Sequence, residues 1–451
     1  MQKLKIITLN CLVGSILILS ACRSSKNILK EEIKNDLLKD STINSGHLGI
    51  SIYEPSTGKY IYNYNAEKFF TPASTTKLFT LYTGLKYLSD SIIGFYYKID
   101  RDTLFVLPNA DPTYLHKDFA IQPAHDFLNS RKYPVVIIDP KSELKPYGKG
   151  WAWDNALESY MPQRSILPGF GNVLRLEWVK KVSPQKDSFA YDLALMNTDL
   201  PDFVLIKKTD LSLAENKIIR TPGTNHFEVT VNNKLKSFTQ EIPFETFGMQ
   251  SGTLIYQHSL YHAPTLQQIQ NLNRKYFKPF YSQRADSVFR LMMYRSDNFY
   301  AEQTLLMASN QFLGSFDEEQ MIDTLLKSDF KDIPQKPRWV DGSGLSRYNL
   351  FTPKDFIYII KKLQKDFGTE KLKYILPTGG AGTLKNYFIS DSSFIYAKTG
   401  SFSNNYCLSG FMTTKNNRQF IFSVMLNNFQ GSSKEVRKAI EKYLHGVRMG
   451  N

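Results

Sequence analysis

Cysteine is scarce. Cys11, Cys22 and Cys407 are the three in 451 residues, too few for a disulfide framework. Their spacing also lacks the paired arrangement that a zinc site needs. Long apolar runs are missing as well: the first stretch, residues 6 to 18, is shorter than the roughly 20 residues that cross a bilayer. Lys and Arg number 56 against 42 acids, giving a formal charge of +14, yet no block of five or six like charges stands out. The basic surplus is therefore spread along the chain and marks no nucleic-acid-binding tail. Nothing repeats at a solenoid period. What remains is 42% hydrophobic, 14% aromatic and 22% charged, the composition of a folded globular protein. The length suits two or three domains.

The amino-terminal segment has its own logic. Lys3 and Lys5 precede the apolar run, and Leu19-Ser20-Ala21-Cys22 follows it, which reads as a secretory leader over residues 1–21. The Leu-Ser-Ala-Cys ending resembles the lipobox of bacterial lipoproteins, which implies cleavage before Cys22 and lipid on its sulfur. The plainer alternative is an ordinary leader with an incidental cysteine. A polar tether would follow over 22–40. Cys407 then stays in the folded body as a small buried apolar residue.

Residues 48–53 and 59–64, separated by Pro55-Ser56-Thr57-Gly58, predict a strand pair. A helix opening at Ser74 follows, with apolar residues at the spacing of a buried face. From about 96 to 275 the pattern changes to short β-like runs, Thr103 to Leu107, Val135 to Ile138, Phe203 to Ile206 and Phe227 to Val231. A helical pattern resumes over 283–308. Three β-type runs, 396–401, 408–413 and 420–426, form a closing meander before a helix-like 434–444. A sheet built from both ends of the chain places the middle inside the fold as an insertion. The expected division is 41–95 with 276–451 as one domain and 96–275 as a mostly β inserted region.

Ser74 and Lys77 form a Ser-x-x-Lys pair, and residues three apart on a helix share a face, so the amine can reach the hydroxyl and take its proton. The spacing alone says little, because it occurs five times in this chain. Of these, Ser74 alone opens an apolar-faced helix directly after a strand pair. Two triplets sharpen the choice: Ser296-Asp297-Asn298 after a helical stretch, and Lys398-Thr399-Gly400 in the first strand of the meander. From average usage each triplet arises by chance in roughly one chain in ten of this length. Both, in this order after Ser74, are far rarer.

Together the three elements resemble the active-site serine penicillin-recognising enzymes. Ser74 and Ser296 lie 222 positions apart, a gap similar to that of the D-alanyl-D-alanine carboxypeptidase/endopeptidase family, the class C low-molecular-mass penicillin-binding proteins. Further matching stretches are Ala110-Asp111-Pro112-Thr113, Gly150-Trp151-Ala152-Trp153-Asp154, Asp341-Gly342-Ser343-Gly344-Leu345-Ser346-Arg347 and Gly382-Thr383-Leu384-Lys385. The resemblance covers residues 48 to 445. It departs at Ser401, where relatives usually carry Thr.

The resemblance implies a serine β-lactamase/transpeptidase-like α/β (α+β) domain, an antiparallel sheet flanked by helices, with no metal or organic cofactor. Ser74 would attack the carbonyl between two D-alanines of a peptidoglycan stem peptide, with Lys77 as general base, its pKa lowered by burial and by a neighbouring Lys398 cation. Ser296 would relay a proton between Lys398 and the leaving amine, and Asn298 would hold the substrate amide. Lys398 and Thr399 would bind the terminal carboxylate. Gly400 would let the substrate lie against the strand, and the backbone N–H groups of Ser74 and Ser401 would form the oxyanion hole. β-Lactams would acylate Ser74. Asp154 and Arg347 would contact a diaminopimelate side chain, or else serve in structural ion pairs. The implied setting is the periplasmic side of the cell envelope, lipid-anchored to a membrane, with no nucleic-acid partner. Carboxypeptidase and endopeptidase action both fit, since each cuts an amide after D-alanine. An esterase or amidase for other D-amino acyl compounds, and a penicillin-binding sensor without turnover, are the rival readings.

Overall fold

The computed structural model describes residues 37–130, 133–138, 144–182, 189–195, 205–232, 238–246 and 274–451. The leader, Cys22 and the tether as far as residue 36 lie outside the described residues. Leu37, at the end of the expected tether, is buried with Ile43 against the body, so its apolar side chain belongs to the core.

In chain order the strands begin with β1 (His47–Glu54), β2 (Lys59–Tyr64), β3 (Ser91–Asp100), β4 (Thr103–Pro108) and β5 (Val135–Ile137). Then come β6 (Val173–Val182), β7 (Phe189–Leu195), β8 (Leu205–Thr209), β9 (Lys217–Arg220), β10 (Phe227–Val231) and β11 (Phe238–Pro243). The last are β12 (Lys278–Arg284), β13 (Ile395–Phe402), β14 (Asn405–Thr413) and β15 (Gln419–Asn427). The helices that shape the site are α1 (Lys77–Tyr87), α2 (Ala285–Tyr294), α3 (Asn298–Leu313), α4 (Pro353–Phe367) and α5 (Ser433–Gly450).

The principal sheet is antiparallel throughout, in the order β13-β14-β15-β1-β2. Strands from the two ends of the chain are neighbours in it: β1 pairs with β15, placing Leu48 opposite Leu426 and Ile52 opposite Phe422. Both faces are covered, so β14 and β15 read as nearly continuous apolar runs, and successive residues enter different cores. Tyr406, Leu408 and Met412 pack under α5, while Cys407 and Phe411 meet the helical layer that holds α1 and α4. Cys407 is fully buried, as the sequence suggests, with its thiol 3.6 Å from the Thr71 carbonyl oxygen. Burial pushes that thiol's pKa up, which keeps it protonated.

The expected helix at Ser74 begins with a tighter turn. Ala73–Thr76 is 3-10, and α-helical geometry starts at Lys77. The Thr75 and Thr76 hydroxyls donate back to the Pro72 and Ala73 carbonyls at 2.7 and 2.9 Å, which favours the tight turn. The helical pattern over 283–308 is two helices, α2 and α3, broken at residues 295–297. Asp297 caps the second by accepting the Tyr300 N–H at 3.0 Å.

The remaining strands form a four-stranded sheet, β12-β3-β4-β5, and two three-stranded sheets, β11-β6-β7 and β8-β10-β9. The boundary expected at 95/96 falls inside β3. Strands β3 and β12 pair, and Phe95 stacks on Phe280 with ring centroids 4.9 Å apart. The four-stranded sheet therefore draws on both sides of that boundary, because this aromatic contact joins chain segments the sequence pattern separates. The two smaller sheets share a core of Leu174, Leu176, Phe227, Val229 and Ile242. Among the described residues no helix is long and apolar enough to cross a membrane.

Candidate active site

Three segments meet where α1 faces the β13 edge of the principal sheet. The 3-10 turn presents Ser74, the break between α2 and α3 presents Ser296, the first residue of α3 is Asn298, and β13 presents Lys398 and Ser401. Ser74, Ser296, Asn298 and Ser401 line one cavity of 710 Å³, and Asp154 and Arg347 line it too. Lys77 and Lys398 are fully buried, and each is hydrogen-bonded to one of the two lining serines, Ser74 and Ser296.

Lys77 Nζ donates to Ser74 Oγ at 2.9 Å, to Asn298 Oδ1 at 2.6 Å and to the Ser343 carbonyl at 2.7 Å. Lys398 Nζ donates to Ser296 Oγ at 2.8 Å and to the Thr399 carbonyl at 2.7 Å. Every one of these acceptors is uncharged. Burial pulls the Lys77 pKa down to about 8, partly opposed by the charges of Asp341, Glu302 and Asp297. Lys398 has no such carboxylates in support, and burial and the Lys77 charge hold it well below the ordinary lysine range. Repulsion between the two amines is mutual, so a Lys398 cation would lower Lys77 just as a Lys77 cation lowers Lys398. The nearby acids sit on the Lys77 side of the pair and favour the proton there.

Backbone conformation is constrained at both serines. Ala73, just before Ser74, has φ 47°, and Ser296 itself has φ 59°, left-handed values that residues with a Cβ adopt rarely and at a cost. Around Ser296, the Arg295 guanidinium binds the Asp118 carboxylate, with Nη1 to Oδ1 at 2.6 Å, and Tyr300 donates to Asp118 Oδ2 at 2.7 Å. A Cβ on Gly400 would lie 2.4 Å from the Pro72 carbonyl oxygen and 3.1 Å from the Ser74 nitrogen. The missing side chain thus lets β13 approach the Ser74 turn, a different reason from the expected contact with substrate. Gly344 has φ 81°, and a Cβ there would lie 2.0 Å from the Ala73 carbonyl oxygen, so it seals the other side of the turn.

The Asp341 to Arg347 stretch is organised by Asp341. Its carboxylate accepts from the Gly344 and Ser346 N–H groups at 2.9 and 2.6 Å, from Asn349 Nδ2 at 2.8 Å and from Trp151 Nε1 at 2.8 Å. The last bond ties the Gly-Trp-Ala-Trp-Asp segment to this loop, as does Ser346 Oγ donating to the Lys149 carbonyl at 2.7 Å. Arg347 and Asp154 consequently face one cavity, and neither forms an ion pair among the described residues. The Arg347 guanidinium lies 4.9 Å from the centre of the Phe402 ring. Asn298 is more committed than expected: its Nδ2 donates to the Tyr160 carbonyl at 2.8 Å, which leaves one N–H for a ligand.

Sequence reasoning missed Glu302, Asp341 and Ser343, which set the environment of Lys77, and Asp118 and Arg295, which brace Ser296. Only Asp341 and Ser343 lay in a stretch already singled out. Glu302 looks like any polar helix position, yet it is fully buried, accepts the Ser343 N–H at 2.7 Å and has its pKa raised to about 7 by burial and by Asp341.

A serine held by a lysine, with a second serine and lysine opposite, can support nucleophilic catalysis. The model of the D-Ala-D-Ala carboxypeptidase 3 (S13) family matches residues 29–119 and 279–447. The chain belongs to this S13 family. Residues 120–278 lie between the two matched segments.

Similar curated proteins include the penicillin-sensitive carboxypeptidase A of Dictyostelium discoideum, 33% identical over 113 residues, 23% of this chain and 22% of that protein. Another is the D-alanyl-D-alanine carboxypeptidase DacB of Haemophilus influenzae, 27% identical over 194 residues, 41% of this chain and 36% of that one. The aligned segments thus span about a fifth and a third of these relatives. In fold, the S13 chain is similar to the crystal structure of penicillin binding protein 4 (dacB) from Haemophilus influenzae. The TM-score is 0.70 at 16% identity, over 93% of this chain and 98% of that one. The structure of the same protein complexed with a β-lactam gives 0.65 at 16% identity, over 94% and 98%.

The Gly400 contact yields a direct test. Gly400→Ala should push β13 away from the Ser74 turn and cut the rate of penicillin labelling by roughly 100-fold or more, the scale of a 1 Å misplacement. Labelling kinetics with a fluorescent penicillin, beside a circular dichroism check of folding, would measure it. An unchanged rate would show that this contact does not position Ser74.

Proposed function

We propose that this S13 chain is a serine-type D-alanyl-D-alanine carboxypeptidase or DD-endopeptidase that cuts peptidoglycan peptides through an acyl-enzyme on Ser74. The observation that carries the reading is the Ser74 hydroxyl 2.9 Å from a buried lysine amine whose hydrogen-bond partners are all uncharged. A neutral Lys77 takes the Ser74 proton as Oγ bonds to the carbonyl carbon. The Ser74 and Ser401 N–H groups receive the oxyanion, since Ser401 lines the same cavity and Gly400 brings its strand against Ser74. As the intermediate collapses, Ser296 passes a proton to the leaving amine and is resupplied through Lys398, 2.8 Å away. Water then attacks the ester and restores Ser74. Asp154 and Arg347, opposite in charge and facing one cavity, suit the two ends of a zwitterionic side chain on the acyl side.

Substrate binding also adjusts the lysines. A carboxylate arriving at the β13 face supplies the anion that Lys398 lacks, favours its charged form, and by repulsion makes Lys77 a better base. Penicillins present an amide-like carbonyl and a carboxylate together, which accounts for acylation at the same hydroxyl. The cell envelope is the corresponding location, with Cys22 as the lipid attachment point.

Three measurements test this reading. Ser74→Ala should abolish both fluorescent-penicillin labelling and release of D-alanine from a D-Ala-D-Ala peptide while the fold persists; retained labelling would take Ser74 out of the chemistry. The pH dependence follows from Lys77, which must be neutral to act: below about 8 it is mostly protonated. The acylation rate should therefore climb about tenfold per pH unit between roughly pH 6 and 7.5, then level off above about 8. A profile flat across that interval would exclude Lys77 as the titrating base. Finally, Cys22→Ala in the full-length chain should move the protein from the membrane fraction to the soluble one, and unaltered fractionation would remove the anchor.

A further inference from the structure

Lys398 is poorly placed to be the first anchor for an incoming carboxylate. Its amine is fully buried and both of its hydrogen bonds are taken within the chain. The alternation along β13 shows where another cation stands. Ile395 and Ala397 pack into the core beneath α5, so Thr399 and Ser401 lie on that same face, while Lys398 and Gly400 turn toward Ser74.

On the α5 side, Arg437 donates from Nη2 to Ser401 Oγ at 3.3 Å. Its guanidinium lies 5.2 Å from the ring centre of Tyr406 and 5.7 Å from that of Tyr387, contacts that orient it without neutralising it. No carboxylate pairs with it among the described residues, and its buried Nε has no acceptor. The nearby Glu441 accepts the Phe388 N–H instead. Past Arg437 opens a groove of 660 Å³ whose lining includes Lys434 and Lys438 and no acid. A permanent cation thus touches a residue of the catalytic cavity and has no carboxylate paired to it among the described residues.

We propose that Arg437 is a specificity-determining residue that binds, with the Thr399 and Ser401 hydroxyls, a carboxylate on the leaving side of the scissile bond. This rests on the peptidase reading above and deepens it. A planar guanidinium can engage a carboxylate through two parallel hydrogen bonds, and the flanking lysines favour the same charge. Two substrates carry the required group: a stem peptide ending in free D-alanine, and a cross-linked pair of peptides whose second member bears a carboxylate beside the leaving nitrogen.

The test compares wild type, Arg437→Gln and Arg437→Lys on three substrates: a peptide ending in D-Ala-D-Ala, the same peptide ending in D-alaninamide, and a cross-linked peptide dimer. Arg437→Gln should lower kcat/KM for the free acid by roughly 10- to 100-fold, chiefly through KM, the range for a charge-assisted hydrogen bond. The amide should change less than about twofold, so the acid-to-amide ratio falls toward one, and Arg437→Lys should restore part of it. Loss on both acid and dimer supports the assignment with the carboxylate next to the scissile bond; loss on the dimer alone supports it with the carboxylate on the second peptide. Equal losses on acid and amide, or none on any substrate, overturn it. If wild type cleaves none of the three, the peptidase reading itself fails, and that outcome is distinct because it appears before any variant is compared.

Discussion

Two lysine amines buried against uncharged acceptors are the constraint on which the site depends. Water would solvate an ammonium fully, whereas here Lys77 and Lys398 are fully buried and bonded to hydroxyl, amide and peptide oxygens. Such surroundings favour the neutral amine, and a neutral amine is what a serine hydroxyl requires as a base. Full ion pairing would have stabilised both charges and removed the basicity. The acids near Lys77 are engaged elsewhere: Asp341 takes four N–H donors and Glu302 takes the Ser343 N–H, so they act on the amine through space and make no hydrogen bond to it.

Holding two amines in this state needs a rigid frame, and the frame is built from contacts that tolerate little change. Left-handed backbone at Ala73 and Ser296 persists because neighbouring structure fixes it from several sides. Gly344 and Gly400 admit backbone on either side of the Ser74 turn. The Asp118 carboxylate, on a loop after β4, clamps Arg295 next to Ser296. Residues 151–161 are a wall of the cleft as well, since Trp151 binds Asp341 and the Tyr160 carbonyl takes an Asn298 N–H. Small displacements in any of these segments reach the reacting hydroxyl.

Much of this was legible in the sequence because its signals are local. The strand pair at 48–64, the meander after 395 and the three short motifs each depend on residues within a few positions of one another. Their order along the chain was enough to bring both ends into one sheet. The domain boundary was less legible, because Phe95 and Phe280 meet through space and no local pattern announces it. Glu302 and Asp118 were invisible for the same reason: burial and partners, which decide what a carboxylate does, are properties of the assembled fold.

The sequence by itself singled out which side chains could do chemistry, because the Ser74/Lys77 spacing opens an apolar-faced helix and is followed in order by the Ser296-Asp297-Asn298 and Lys398-Thr399-Gly400 triplets. Tertiary structure alone decided their charge. Protonation follows from desolvation and from the distances to groups far away in the chain, so the preference of the proton for Lys77 over Lys398 appears only once Asp341 and Glu302 are in place. The same holds for Arg437, one basic residue among 56 in the sequence. Only the packing of α5 over the sheet at β14 sets it beside Ser401, with no acid paired to it among the described residues.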